Sequence, residues 1–325
     1  MKIGGFLVYA FNFRGGIPVL SMGMIFSQIA VIFGYVLVGF AASKLHIINA
    51  EQRKYLTRLC SDLILPFTIL SATSLDVGGA ELAGIGIAAA LMFLLMALSS
   101  FGMLGFSRLL RRPAPEQAAL TSLITYPNAT FLGLPLCRAL FGDIAILYNA
   151  SIIIAFNVLF FTLQYSLFTG KGFRIQNLIT APTLSTMLMI VMLALGVHFP
   201  TPVQTVVANI GAMITPLSLM IIGVMVAESD LAAVLKEKRA YLITLMRNFL
   251  LPLIAMALLA LAPLDSAARM CVLVYLACPC ATLTIIYAIQ SDSEPQLCAN
   301  TVLLSTLTFA LSLPCIIALG QRVLM

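Results

Sequence analysis

Charge is what this chain has least of. Asp, Glu, Lys and Arg make up 9% of its 325 residues, against about 25% in an ordinary soluble domain. So little charge cannot cover a water-facing surface, which excludes a soluble globule and predicts that lipid covers most of the molecule. Tryptophan is absent and histidine occurs only at His46 and His198. The cysteines, Cys60, Cys137, Cys271, Cys278, Cys280, Cys298 and Cys315, contain no CxxC pair. Ligand spacing for a metal or thiol-redox site is therefore missing, and these residues read as small apolar side chains in or beside apolar segments. No cofactor is implied.

The net charge of +6 is not gathered into a basic run interleaved with aromatics, which argues against a nucleic-acid partner. Motifs of the HExxH and GxSxG kind are absent, as are paired aspartates on neighbouring apolar segments, so nothing supplies an enzyme's nucleophile or metal. A transport-derived sensor would need an added signalling domain, and the short connections leave no room for one.

What is abundant is apolar length. Hydrophobic residues make up 61% of the chain and its mean hydropathy is +1.07. About 20 apolar residues cross a bilayer, and ten segments qualify, at roughly 24–43, 55–74, 82–107, 117–140, 144–169, 179–197, 205–227, 240–262, 269–289 and 297–319. Alternation of the kind a membrane barrel needs is missing, so the expected class is an all-α polytopic membrane protein. Residues 1–23 read as a short lead before the first span, or as an over-called start with Met22 or Met24 as the true beginning.

Basic residues are distributed unevenly between alternate connections. Twelve of them (Lys44, Arg53, Lys54, Arg58, Arg108, Arg111, Arg112, Lys171, Arg174, Lys236, Lys238 and Arg239) follow spans 1, 3, 5 and 7. Five (Lys2, Arg14, Arg138, Arg269 and Arg322) lie on the other side. The positive-inside bias predicts both termini outside the cytoplasm. The connection at Ser291-Asp292-Ser293-Glu294 has no basic residue and gives no support to that orientation.

The two halves match. Span 2 reads SDLILPFTILSAT and span 7 reads GAMITPLSLMIIG, with Pro66 and Pro216 central; span 4 holds PNAT from Pro127 and span 9 holds PCAT from Pro279. The prolines are separated by 61 residues in the first half and 63 in the second. Five spans is an odd number, so a second copy enters the bilayer from the opposite side, which predicts a 5+5 inverted repeat. The first copy is expected over 24–169, a linker over 170–178 and the second copy over 179–325.

A proline inside a helix removes a hydrogen bond and clashes with the preceding turn, at about 3 kcal/mol. In lipid the freed groups find no water, so the break survives where it lines a cavity or is buried in protein. Pro127 and Pro279 occupy matching places with polar neighbours: Asn128 and Thr130 after the first, Cys280, Thr282 and Thr284 around or after the second. Two broken helices meeting at the midplane bring helix N-termini together, and their partial positive charge suits an anion. Pro252 and Pro314 lack such neighbours and read as simple kinks; Pro66 and Pro216 read as bends or as site elements.

The motifs NATFLGLPL and ACPCATLTIIYAIQ, the latter followed by LSTLTFALSLP, resemble the crossover signatures and last span of the auxin efflux carrier family. That family includes plant PIN proteins and bacterial malonate- and malate-permease-like carriers. The resemblance covers the chain from about Met24. It implies a bile-acid-transporter-like (NhaA-like) fold of ten helices with helices 4 and 9 crossed. Helices 1, 2, 6 and 7 would form a scaffold and homodimer interface, and helices 3–5 and 8–10 a mobile transport unit. Elevator-type alternating access and a small organic anion as substrate follow from the same resemblance. Carried over by position, Pro127, Asn128 and Pro279 match substrate-contacting crossover residues. Thr130 stands where the family often has glycine, which puts close backbone approach there in doubt, and Cys280 is an uncommon polar-site choice. The plant members' long loop between spans 5 and 6 is missing, which implies a compact bacterial-type carrier of the inner membrane.

Ionisable groups within spans are expensive and are functional candidates. Asp62 is expected either to pair with Arg58 one turn earlier or to serve as a proton-coupling carboxylate. Arg247, the deepest basic residue, is expected to snorkel, to pair with Asp62, or to face the cavity and attract a carboxylate. Asn149, Asn157 and Gln164 follow one another at helical spacings and either line the path or bond across helices. No sodium site is legible. Proton coupling or uniport is the leaning, with sodium symport of a larger amphipathic anion as the rival.

Overall fold

The computed structural model describes residues 13–14, 17–18, 22–172 and 175–325. The question of the true start, and Lys2 and Arg174, lie outside these. Among the described residues the chain is helical apart from a two-residue antiparallel ladder, Phe13–Arg14 against Ile17–Pro18, a local exception to the all-α expectation.

The helices, numbered along the chain, are α1 (Met22–Lys44), α2 (Ala50–Ser74), α3 (Gly79–Leu109), α4 (Ala114–Thr125), α5 (Ala129–Phe141), α6 (Ile144–Thr169), α7 (Ala181–Ala194), α8 (Thr201–Glu228), α9 (Leu231–Lys236), α10 (Lys238–Ala260), α11 (Ser266–Ala277), α12 (Leu283–Gln290) and α13 (Pro295–Leu324). Among the described residues seven of them, α1, α2, α3, α6, α8, α10 and α13, are long and apolar enough to cross a membrane. Three more, α5, α7 and α11, are apolar but shorter.

Helix starts follow local chemistry. Asn49 and Gln52 form a reciprocal capping box at α2. Asp265 accepts from the Ala268 amide at α11, Thr180 from Thr183 at α7 and Asp230 from Ala232 at α9. Each satisfies an amide that has no acceptor in the first turn.

Three of the prolines inside helices follow a widened turn, whereas Pro216 and Pro314 do not. A π turn at Cys60–Ile64 precedes Pro66, one at Ala129–Gly133 precedes Pro135, and one at Met246–Leu250 precedes Pro252. The wider turn relieves the clash between the ring and the carbonyl four residues back. At Pro135 that carbonyl belongs to Phe131 and accepts from the Ser218 hydroxyl at 2.8 Å.

Two groups of helices form. α1 packs along α8, and α2 packs against α8 and α7. The crossing of α1 with α8 depends on Gly39 and Gly223, where any Cβ would run into the backbone of Met220 and of Val36. Small residues here let two helix backbones touch, the usual basis of helix association in lipid. In the second group α3 packs on α4 and α6, and α13 packs on α10, α11 and α12. Arg239 joins this group at one end, 3.8 Å from Glu116 and 3.1 Å from Glu294. The seam between the groups holds a cavity.

Candidate functional site

The helical run broken at Pro127 (α4, then α5) and the one broken at Pro279 (α11, then α12) meet at their breaks. Between these helices the chain leaves the helix at Tyr126–Asn128 and Pro279–Ala281 and pairs as an antiparallel bridge centred on Pro127 and Cys280. The Asn128 amide donates to the Pro279 carbonyl at 2.7 Å, and the Ala281 amide donates to the Tyr126 carbonyl at 2.9 Å. Each broken segment thus satisfies the other, which is how open backbone persists where water is scarce.

The carbonyls at the ends of α4 and α11 are satisfied by one side chain. Arg247, only 1% exposed, sends Nε to the Cys278 carbonyl at 2.9 Å and Nη2 to the Leu276 carbonyl at 2.8 Å. Its Nη1 donates to the carbonyls of Ile124 at 3.0 Å and Thr125 at 3.2 Å. A planar fork suits four acceptors from two chain segments in a way an ammonium cannot. The charge also sits where two helix C-termini place partial negative charge, so a buried cation is stabilised with no carboxylate nearby. Arg247 therefore neither snorkels nor pairs with Asp62, and it is not among the cavity-lining residues.

With both C-terminal ends occupied, the crossing presents the N-terminal ends of α5 and α12; at α12 the Thr284 and Ile285 amides already donate to the Ala281 and Thr282 carbonyls at 3.2 and 3.1 Å. A cavity of about 750 Å³ leads to this point, with Asn128, Phe131 and Thr282 on its wall. Asn128 is 4% exposed, and its Nδ2 has no hydrogen-bond partner among the described residues. That amide is a donor held at the crossing. Ile221, Ile222 and Met225 of α8 and Ile285, Ile286 and Ile289 of α12 make the cavity side largely apolar. Arg53, Lys54 and Arg58 of α2 stand at the other end, where Arg53 pairs with Glu228 at 2.8 Å.

The candidates picked out from sequence divide as follows. Asn128 and Thr282 line the cavity. Pro127, Pro279 and Cys280 are buried in the bridge, and Cys280 donates its amide to the Ser305 hydroxyl at 3.2 Å. Thr130 is half-buried in the first turn of α5 and does not line the cavity. Close approach instead falls at Gly133, where a Cβ would lie 2.8 Å from Cys278 Sγ. Asn157 donates to Thr183 of α7 at 2.6 Å, a bond across helices, and is away from the cavity. Asp62 is exposed and pairs with Arg58 at 3.3 Å.

Sequence reasoning missed Asn300 and Thr306 of α13 and Thr57 and Ser61 of α2, all on the cavity wall. Asn300 carried a readable signal, an amide in a segment of lipid-spanning length, the same signal that singled out Asn157.

A helical membrane protein with a cavity running along a seam to two broken helices has the form of a membrane transport protein. The family model described as membrane transport protein matches residues 24–178 and 173–317, most of the chain. The chain belongs to this family, that of the auxin efflux carriers. Among curated proteins no relative matches it.

Proposed function

We propose that the chain is a secondary active or facilitative carrier of small organic anions, mono- and dicarboxylates such as malonate or malate. The observation that carries this reading is the cavity ending on Asn128 and Thr282, with Arg53, Lys54 and Arg58 at its other end. Glu228 and Asp230 line that same end, and Arg53 and Arg58 are paired, so among the described residues Lys54 is the cation left there to attract an anion. Helix N-termini and an unpaired amide receive it.

In this reading the polypeptide makes ten crossings as two inverted five-helix units. The α4–α5 and α11–α12 pairs each count as one crossing, and α7 serves as a short span. α1, α2, α7 and α8 act as scaffold and homodimer contact; α3–α6 and α10–α13 act as the moving unit in an elevator-type cycle. The positive-inside bias assigns the mouth to the cytoplasm and both termini to the other side of a plasma membrane, the inner membrane of a bacterial cell. The open cavity is then the inward-facing arrangement.

One observation favours a second reading. The isoleucines and Met225 along the wall suit a larger amphipathic anion, taken up by sodium symport.

A thermal-shift screen of the purified protein against malonate, malate, succinate, lactate and indole acetate separates these. A carrier of small dicarboxylates is stabilised by malonate or malate through mass action; stabilisation by indole acetate alone favours the second reading. No shift with any of them, and no anion uptake by proteoliposomes, defeats both. Uptake with and without a sodium gradient then decides coupling.

A further inference from the structure

Asn149 is fully buried, and neither its Oδ1 nor its Nδ2 has a hydrogen-bond partner among the described residues. An unsatisfied buried polar atom is costly, and here one side chain carries two. Leucine at this position of an apolar helix would avoid that cost, so an asparagine has to be explained by some other arrangement of the molecule.

The internal match supplies one. Asn149 is the sixth residue of α6, which begins at Ile144, and Asn300 is the sixth residue of α13, which begins at Pro295. The two asparagines are 151 positions apart, between the 150 that separate Pro66 from Pro216 and the 152 that separate Pro127 from Pro279. Asn300 lines the open cavity, with its Oδ1 accepting from Gln296. An inverted pair of units places the counterpart of a cavity-lining residue at the opposite side of the crossing. The helix carrying Asn149 also packs on Leu65–Ser74 and on α7, neither of which lines the open cavity.

We infer that Asn149 is a substrate-path residue of the outward-open arrangement, doing there what Asn300 does in the inward-open one. Its Nδ2 would donate to a carboxylate oxygen once the seam opens on that side. This rests on the alternating-access reading above.

The test labels Asn149→Cys and Asn300→Cys chains in right-side-out and inside-out vesicles with a charged, impermeant methanethiosulfonate. Labelling is measured against the unsubstituted chain, whose cysteines are buried except Cys315. Asn300→Cys is expected to react from the face bearing Lys54, and Asn149→Cys from the opposite face. Reaction of Asn300→Cys with none at Asn149→Cys from either face overturns the inference and leaves the carrier reading standing. Failure of both to react, together with absent uptake, overturns both. Asn149→Leu gives a second reading in folded protein. Uptake is expected to fall about tenfold, the worth of one hydrogen bond of about 1.4 kcal/mol, while thermal stability rises. Uptake that stays at the parent level in Asn149→Leu also overturns the inference.

Discussion

Pro127 and Pro279 each open a link between two helices, and the residues that follow them are used in opposite ways. After Pro127, Asn128 gives its backbone amide to the partner link and keeps its side-chain amide unpaired on the cavity wall. After Pro279, Cys280 is fully buried and its backbone amide goes to the Ser305 hydroxyl; the cavity contact falls two residues later, on Thr282. The two links share a break and a two-bond bridge, but matched positions differ in both amide partner and side-chain use. Architecture here is carried by proline geometry and the two-bond bridge, while ligand chemistry rests on whichever side chains the shared frame presents.

The largest expected effect comes from the group both links share. Arg247→Met strands the carbonyls of Ile124, Thr125, Leu276 and Cys278, and each unsatisfied buried acceptor costs about 1–3 kcal/mol. The loss of stability is expected to reach about 3 kcal/mol or more, read as a fall in Tm in detergent, with Arg247→Lys between it and the parent. An unchanged Tm would mean that the links hold their bridge without the guanidinium.

Gly133 tests the α5 side alone. A Cβ there meets Cys278 Sγ at 2.8 Å and Tyr275 at 3.0 Å, so Gly133→Ala is expected to destabilise by about 1–3 kcal/mol through overpacking. Adding Cys278→Ala should recover part of that loss, since the sulfur is the nearest atom. No recovery in the double variant would place the clash on Tyr275.

The direct comparison is Asn128→Ala against Cys280→Ala. The first is expected to lower uptake about tenfold, as removal of one ligand-facing hydrogen bond of about 1.4 kcal/mol would, with Tm near that of the parent. The second leaves the backbone amide and its bond to Ser305 in place, so uptake should remain near the parent rate. Equal losses in the two variants would show that the links are used symmetrically after all.

The breaks at Pro127 and Pro279, and their matched spacing, were legible because proline acts on its own backbone and needs no partner to do so. The role of Arg247 was not. Its acceptors are main-chain carbonyls, two of them more than a hundred residues away, and carbonyls leave no mark in a sequence. Thr130 drew attention through resemblance, whereas close contact with α11 falls at Gly133, at the end of the π turn. Asp62 and Arg58 were readable from one-turn spacing alone, and they do pair. Asn300 was readable as a buried amide, but its place on the cavity wall depends on how α13 packs.

The smallest expected effect separates the mouth of the cavity from its floor. Lys54 lines the mouth and has no ion-pair partner among the described residues, while Arg53 and Arg58 beside it are paired with Glu228 and Asp62. A cation at such a mouth acts through the field it adds to the approach path, and salt screens that field over about 8 Å at physiological ionic strength. Lys54→Gln is therefore expected to raise the KM for anion uptake about twofold at low salt, a loss below 1 kcal/mol typical of exposed charge. The difference should vanish as salt is raised. Asn128 acts by a short hydrogen bond at a buried crossing, which salt does not screen, so the deficit of Asn128→Ala should persist at every ionic strength. If the Lys54→Gln deficit also persists in high salt, the lysine touches the substrate directly, and the bound anion lies nearer the mouth than the crossing.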